Sequence, residues 1–230
     1  MPDHPELKWI SDAIPQSVRF DDTYYSQDDG HKETQYVFVD GNGLPERFGK
    51  SATFSIGELG FGTGLNFFET VRQFQIANPS GDQNLLFYSF EKYPLGADQM
   101  KRALSQWPDV AAIATSWLED WRPEPGVNLL RQGNISLAVA IGDAQDLLLS
   151  SEEKVDAWYL DGFNPKNNGA MWTPELISGV FERTNAGGTF ATYTAAGWVR
   201  RNLEAAGFSV QRRKGYGNKR EMLLGRRELI

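Results

Sequence analysis

Residues 57–66, GELGFGTGLN, place four glycines, Gly57, Gly60, Gly62 and Gly64, within eight positions. The preceding ATFSI predicts a short buried strand, and the following NFFETVRQFQIA predicts an amphipathic helix. A glycine-rich turn between a strand and a helix marks the ligand end of a doubly wound sheet, beyond the strands' carboxyl ends. The spacing is G-x-G-x-G, not the dinucleotide fingerprint G-x-G-x-x-G. Glu58 stands two residues before the first of these glycines, where a carboxylate would repel a pyrophosphate and suit a cation. No G-K-[ST] follows, so a P-loop is excluded. The competing reading is a turn made of glycine only so that strand and helix pack closely.

The rest of the chain continues the alternation. Residues 84–90 (NLLFYSF), 135–141 (ISLAVAI), 155–161 (VDAWYLD) and 188–194 (GTFATYT) read as further strands. Helical patterns cover 66–77, 97–106, a stretch after 109, 144–150 and 174–184. Nearly continuous apolar strands between helices predict an α/β fold with a parallel sheet covered on both faces. GWVRRNLEAAGF reads as a helix closed by Gly207, followed by two strands, SVQRRKG and KREMLLGRR, joined through GYGN as an antiparallel hairpin. Residues 1–50 read as a β-rich extension, with TQYVFVDG and PERFG as hairpin arms, packed on a core domain of residues 51–230.

Composition narrows the function. There are no cysteines, which excludes disulfides and thiolate metal ligands, and the two histidines, His4 and His31, argue against a histidine metal site. No apolar run reaches membrane-spanning length and MPDHPELKWI lacks signal-peptide features, so a cytoplasmic protein is expected. The net charge of −7 is unevenly spread: from Arg200 to Arg227 nine Lys and Arg face two acids, Glu204 and Glu221. An acidic body with one basic surface suits a polyanion, although a solvated basic face explains the same pattern. Arg200, Arg201, Arg212, Arg213, Lys214, Lys219 and Arg220, with Trp198 and Tyr216 between them, suit RNA phosphates and bases.

The strand ends carry the candidate chemistry. S-adenosylmethionine (SAM) has an ammonium, a sulfonium and no phosphate, so E-x-G-x-G-x-G suits it and resembles the first motif of SAM-dependent methyltransferases. Glu91, ending the second strand, can accept from ribose hydroxyls. Asp143, between Gly142 and Ala144, can accept from an adenine amino group, or simply cap the helix 144–150. In YLDGFNPKNNGAMW, Asp161 would meet an incoming nucleophile, Phe163 could stack on a planar substrate, and Pro165 stiffens the turn. An alkylammonium with a pKa near ~10 has no free lone pair at neutral pH, so an amine nucleophile needs a positioned base.

At LDGFNPKNNGAMW, together with RFDDTYYSQDDGHKETQYVFVDGNGL, SFEKYPL and KGYGNKREML, nearly the whole chain resembles one family. It is similar to the methyltransferase domain of the bacterial bifunctional tRNA wobble-uridine modification enzymes of MnmC type. The resemblance implies a Rossmann-like, seven-stranded, mostly parallel sheet and SAM-dependent methylation of 5-aminomethyl-2-thiouridine in tRNA. It implies Asp161 and Phe163 as catalytic residues, with Glu58, Gly60, Gly62, Thr63, Gly64 and Asn66 as the cofactor loop, Asp161 also on the cofactor, and Tyr24, Tyr25 and Pro165 toward the tRNA substrate. Glu91, Lys92, Gly142, Asp143 and Ala144 would hold the nucleoside, while Asp22, Tyr24 and Tyr25 fold over the pocket. A flavin-dependent oxidase, with FAD, commonly follows this domain in the family, and a stand-alone enzyme or an excised half are both compatible with an end at Ile230. Asn164 and Gly169 depart from the family's Asp-Gly-Phe-small-Pro and Asn-Pro, which bears on the substrate loop. The rival readings are a SAM methyltransferase for another nucleic acid or a small-molecule amine, and a SAM- or RNA-binding module without turnover. The Asn-Pro-Pro-Tyr signature of DNA amino-methyltransferases is absent.

Overall fold

An eight-stranded sheet organises the chain, of which the computed structural model describes residues 5–229. Before it, β1 (Leu7–Trp9), β2 (Pro15–Ser17) and β3 (Asp22–Thr23) form a small antiparallel sheet. The expected N-terminal β element therefore exists, but upstream of its expected place. TQYVFVDG is helical: α1 (Gly30–Thr34) runs into a π-helical turn over Gln35–Val39 and a 3-10 turn over Asp40–Asn42. A further 3-10 helix spans Pro45–Lys50. The alternation that suggests a strand is overridden by packing, because Val37, Phe38 and Val39 are consecutive and all buried, which a two-faced edge strand does not allow. Asp29 caps α1 by accepting from the Lys32 N–H at 3.1 Å.

The main sheet begins with β4 (Thr53–Leu59), followed by α2 (Leu65–Ala77) and β5 (Asn84–Glu91). Helices α3 (Ala97–Leu104) and α4 (Pro108–Glu119) lead to β6 (Gly126–Gln132) and β7 (Ile135–Ile141). Next come α5 (Ala144–Ser150), β8 (Val155–Leu160), α6 (Pro174–Glu182) and β9 (Thr184–Thr192). The chain finishes with α7 (Gly197–Ala206), β10 (Ser209–Arg213) and β11 (Met222–Arg226). The strand order is β10-β11-β9-β8-β4-β5-β7-β6. β4, β5, β7, β8 and β9 run parallel, and β11 is inserted antiparallel between β9 and β10. This is the Rossmann-like methyltransferase arrangement, with one strand more than the expected seven. The extra strand, β6, pairs antiparallel with β7 at the sheet edge.

Two corrections have simple causes. β6 (GVNLLRQ) alternates between partly buried and exposed residues, so its apolar content is that of an edge strand and too weak to stand out. The β10–β11 connection is eight residues long, 214–221, because Lys214–Glu221 leave the ladder to project Tyr216 and Lys219. The expected Gly207 cap is present in left-handed conformation. Val37, Phe38, Val39, Leu44 and Phe48 share one apolar core with Phe67, Phe87 and Tyr159, so the N-terminal segment is built into the same core as the strands. His4 and Ile230 lie outside the described residues.

Candidate active site

One cavity of about 870 Å³ opens at the carboxyl ends of β4, β5, β7 and β8, within the ~300–1,000 Å³ typical of small-molecule sites. The turn after β4 shapes one wall. Gly60 has φ +92° and lies so close to the next strand tip that a Cβ would sit 2.6 Å from the Asp161 carbonyl oxygen. Gly62 has φ +52°, and its absent Cβ leaves room for the Tyr24 ring at 3.1 Å. Both demands are backbone demands that only glycine meets without strain. Gly64, the left-handed residue opening α2, packs toward Phe68 and Met100 and does not line the cavity. Thr63 and Asn66 do line it.

Glu58 is placed differently from the expectation of a carboxylate at the entrance. It is fully buried and off the cavity wall, since β4 runs through the centre of the sheet with Ser89 and Tyr159 as lateral neighbours. Ser89 Oγ donates to one oxygen at 2.6 Å and Asn66 Nδ2 to the other at 3.0 Å. Burial pushes the Glu58 carboxyl well above its ordinary value, against those two hydrogen bonds.

Glu91 reaches the cavity from β5. Its oxygens accept from the Gly62 N–H at 2.9 Å and the Tyr93 N–H at 2.8 Å, while burial still raises its carboxyl. The Gly62 N–H is thereby spent on a carboxylate and is not offered to a phosphate. Asp143 lines the cavity and also performs its capping role, accepting from the Gln145 N–H at 3.1 Å. Lys92, 3.0 Å from its other oxygen, lowers the Asp143 carboxyl. Ala144 lines the cavity beside it, whereas Gly142, at φ +153°, faces Leu147 and does not.

Asp161, at the end of β8, is the central group. Asn66 Nδ2 donates to its Oδ2 at 2.7 Å. Burial pushes its carboxyl up to about 7; the Asn66 bond and Lys219 act downward, and Glu33 and Asp22 upward. Phe163 stacks on Phe20 with centroids 4.8 Å apart and meets Tyr24 edge-on at 5.0 Å. Tyr193 donates its hydroxyl to the Gly162 carbonyl at 2.8 Å, fixing the backbone after Asp161.

The loop after Phe163 is clipped to the N-terminal segment: the Asn164 N–H donates to Asp22 at 2.9 Å, and Asn167 Nδ2 to the Phe20 carbonyl at 2.8 Å. Pro165 is buried and off the cavity wall. Gly169 has no left-handed backbone and no close neighbour, so nothing in its surroundings requires glycine. Tyr25 borders the cavity, but its hydroxyl is committed to the Ala13 and Ala103 carbonyls at 2.6 and 2.9 Å.

Of the seven basic residues between Arg200 and Arg220, only Lys219 lines the cavity; its ammonium lies 2.6 Å from Glu33 and 4.3 Å from the Tyr193 ring centre. Arg200 pairs with Glu204, Arg212 with Glu221, and Arg213 lies over Tyr36 at 4.0 Å. Arg201, Lys214 and Arg220 are exposed outside the cavity. Sequence reasoning missed Phe20, Glu33, Thr34 and Tyr193 as cavity residues. Tyr193 had a signal, its place near the end of the predicted strand 188–194, whereas Thr34 had none because its segment read as a strand, and neither had Glu33 just before it.

Fold and site together define a SAM-dependent methyltransferase. A family profile described as S-adenosyl-L-methionine-dependent methyltransferase matches residues 108–228, over half of the chain, and the chain belongs to that family. Among individual relatives, it is 44% identical over 235 residues to the tRNA 5-methylaminomethyl-2-thiouridine biosynthesis bifunctional protein MnmC of Aeromonas hydrophila, covering 97% of this chain and 35% of that protein. The protein of the same name from Chromohalobacter salexigens is 45% identical over 230 residues, covering 96% of this chain and 33% of that one. The crystal structure of MNMC2 from Aquifex aeolicus superposes with a TM-score of 0.84 at 25% identity, covering 99% of this chain and 72% of that one. The chain thus spans about a third of the length of its curated bifunctional relatives. Among the described residues, no helix is long and apolar enough to cross a membrane.

Proposed function

We infer that the chain methylates the exocyclic primary amine of 5-aminomethyl-2-thiouridine at the wobble position of tRNA, giving the 5-methylaminomethyl product. The observation that carries this reading is Asp161: a base at the cavity wall whose carboxyl sits at about 7, beside the aromatic face of Phe163. The names of the bifunctional relatives, at 44% and 45% identity over nearly the whole chain, support the choice of substrate.

The residues present suit SAM. The cavity is large enough, its wall carries Glu91, Asp143 and Asp161, and the N–H of Gly62 is already engaged by Glu91. The turn over residues 60–63 would hold the amino-acid end, with Glu91, Lys92, Asp143 and Ala144 on the nucleoside and Glu58 supporting from behind. When bound, SAM supplies a methyl group activated by its sulfonium. Asp161 accepts the proton that the substrate ammonium must lose before its lone pair is free, and Asn66 holds the carboxylate at that task. Phe163, braced by Phe20 and Tyr24, offers a face to the uracil ring. Tyr193 holds the Gly162 carbonyl and keeps the strand end rigid. Arg201, Arg212, Arg213, Lys214 and Arg220 are assigned to tRNA phosphates, with Lys219 leading from that surface into the cavity.

The organisation is read as an extension over residues 1–50 that completes the pocket of a catalytic unit over 51–230, acting in the cytoplasm. An FAD-dependent oxidase, linked or separate, would provide the amine. Labelled methyl transfer from SAM to tRNA of cells lacking the modification, followed by nucleoside analysis, tests the reading. Label in 5-methylaminomethyl-2-thiouridine is expected. Label only in other nucleosides or in small amines would overturn it.

A further inference from the structure

We propose that Thr34 and Asn66 form a positioning unit that fixes the Asp161 carboxylate, with Glu58 acting behind Asn66 rather than on a ligand. The proposal rests on the reading of Asp161 as the proton acceptor. A carboxamide offers two N–H donors and one carbonyl acceptor, and here all three point to protein groups. Asn66 Nδ2 donates to Glu58 at 3.0 Å and to Asp161 at 2.7 Å, while the Thr34 hydroxyl donates to Asn66 Oδ1 at 2.8 Å. Turning the amide over would set its oxygen against two carboxyl groups and its NH₂ against the Thr34 hydroxyl. The orientation is therefore fixed by its surroundings.

Glu58 makes this arrangement selective. Both its oxygens are taken, by Ser89 and Asn66, and it has no exposed surface. The carboxylate that the sequence places before the glycine turn thus reaches the cavity only through the Asn66 amide. Asp161 is faced by Glu33 of α1, Asp22 of β3, Lys219 of the β10–β11 connection, Tyr193 just past β9 and Glu58 of β4. Beside these groups, Asn66 supplies a neutral donor that favours the charged carboxylate without adding a counter-ion. Because Thr34 belongs to the N-terminal segment, that segment contributes to the state of the base itself.

The test is the ¹³C carboxyl titration of Asp161 in the cofactor-free full chain, assigned with Asp161→Asn. Removing the donor should raise the midpoint by about one unit in Asn66→Ala and by less in Thr34→Val. Thr34→Ser, which keeps the hydroxyl, should restore the original midpoint. Calorimetry with S-adenosylhomocysteine should show no more than about a threefold loss of affinity in Thr34→Val, a change below one kcal/mol. Midpoints unmoved in both Asn66→Ala and Thr34→Val would overturn the proposal, as would a loss of cofactor affinity with no change in titration. Thr34→Val is nearly isosteric, so the question stays answerable if Asn66→Ala fails to fold. The titration needs no methyl acceptor, so its outcome is separate from whether tRNA is the substrate.

Discussion

The cavity has two walls of different origin. One is formed by the tips of β4, β5, β7 and β8 with the turn between β4 and α2; the other by Phe20, Asp22, Tyr24, Glu33 and Thr34 of the N-terminal segment. The strand-tip wall is held by the parallel ladders of the sheet centre and by Gly60, whose backbone nearly touches the Asp161 carbonyl at the neighbouring strand tip. The N-terminal wall is held by side chains from distant parts of the chain: Thr34 to Asn66, Asp22 to the Asn164 N–H, Phe20 to Phe163 and Asn167. Its firmest anchor is Glu69 of α2, fully buried and accepting from Gln35, Arg72 and Gln73, with His31 Nε2 2.6 Å away. The comparison teaches that the strand-tip wall rests on backbone geometry, while the N-terminal wall rests on contacts between distant segments.

Perturbing each wall should separate these contributions. Asp161→Asn should lower methyl transfer by ~10²–10⁴ while leaving S-adenosylhomocysteine affinity, read by calorimetry, little changed; equal losses of both would mean that Asp161 serves cofactor binding. In the unsubstituted chain a base that titrates at about 7 must be deprotonated, so the rate should rise with pH through that value and level off above it.

Glu69→Ala should cost about 1–3 kcal/mol, since it leaves the half-buried Arg72, Gln35 and Gln73 without their acceptor, and urea unfolding measures it. Burial tends to raise the Glu69 carboxyl, but its donors outweigh burial and hold it at about 2, below the ordinary carboxylate range. Its contribution is therefore present above the unfolded pKa and is lost as pH falls toward 2. An acid-unfolding curve that is unchanged in Glu69→Ala would remove this anchor from the account.

Gly60→Ala, which forces a Cβ against the Asp161 carbonyl at φ +92°, should cost about 1–3 kcal/mol and weaken cofactor binding. Thermal melts with and without S-adenosylhomocysteine read both effects. The smallest expected change is at the basic surface. Lys214→Ala or Arg220→Ala should lower the salt-dependence slope of tRNA binding by about one each, with cofactor affinity unaltered. A slope that stays constant would place the tRNA backbone elsewhere.

The strand-tip wall was legible because its constraints are local. Glycine spacing, Glu91 and Asp143 at strand ends, and Asp161-Gly162-Phe163 each follow from one strand meeting one turn. Even there the sequence misjudged Glu58, since which way a central-strand carboxylate points depends on the strands beside it. The second wall was not legible. Tyr36–Val39 carry strand-like residues, and only the collective burial of Val37, Phe38 and Val39 against Tyr159 and its neighbours makes them helical.

By itself, then, the sequence determined the class of sheet, the glycine turn at its ligand end, and the acid at the fourth strand's end. Tertiary structure alone decided that Thr34, Asn66, Glu58 and Asp161, from positions 34 to 161, meet in one hydrogen-bonded chain. The physical reason is range: backbone conformation is set by neighbours in sequence, whereas the orientation of a buried amide and the charge of the carboxyl it touches depend on partners that only the folded chain brings within hydrogen-bond distance.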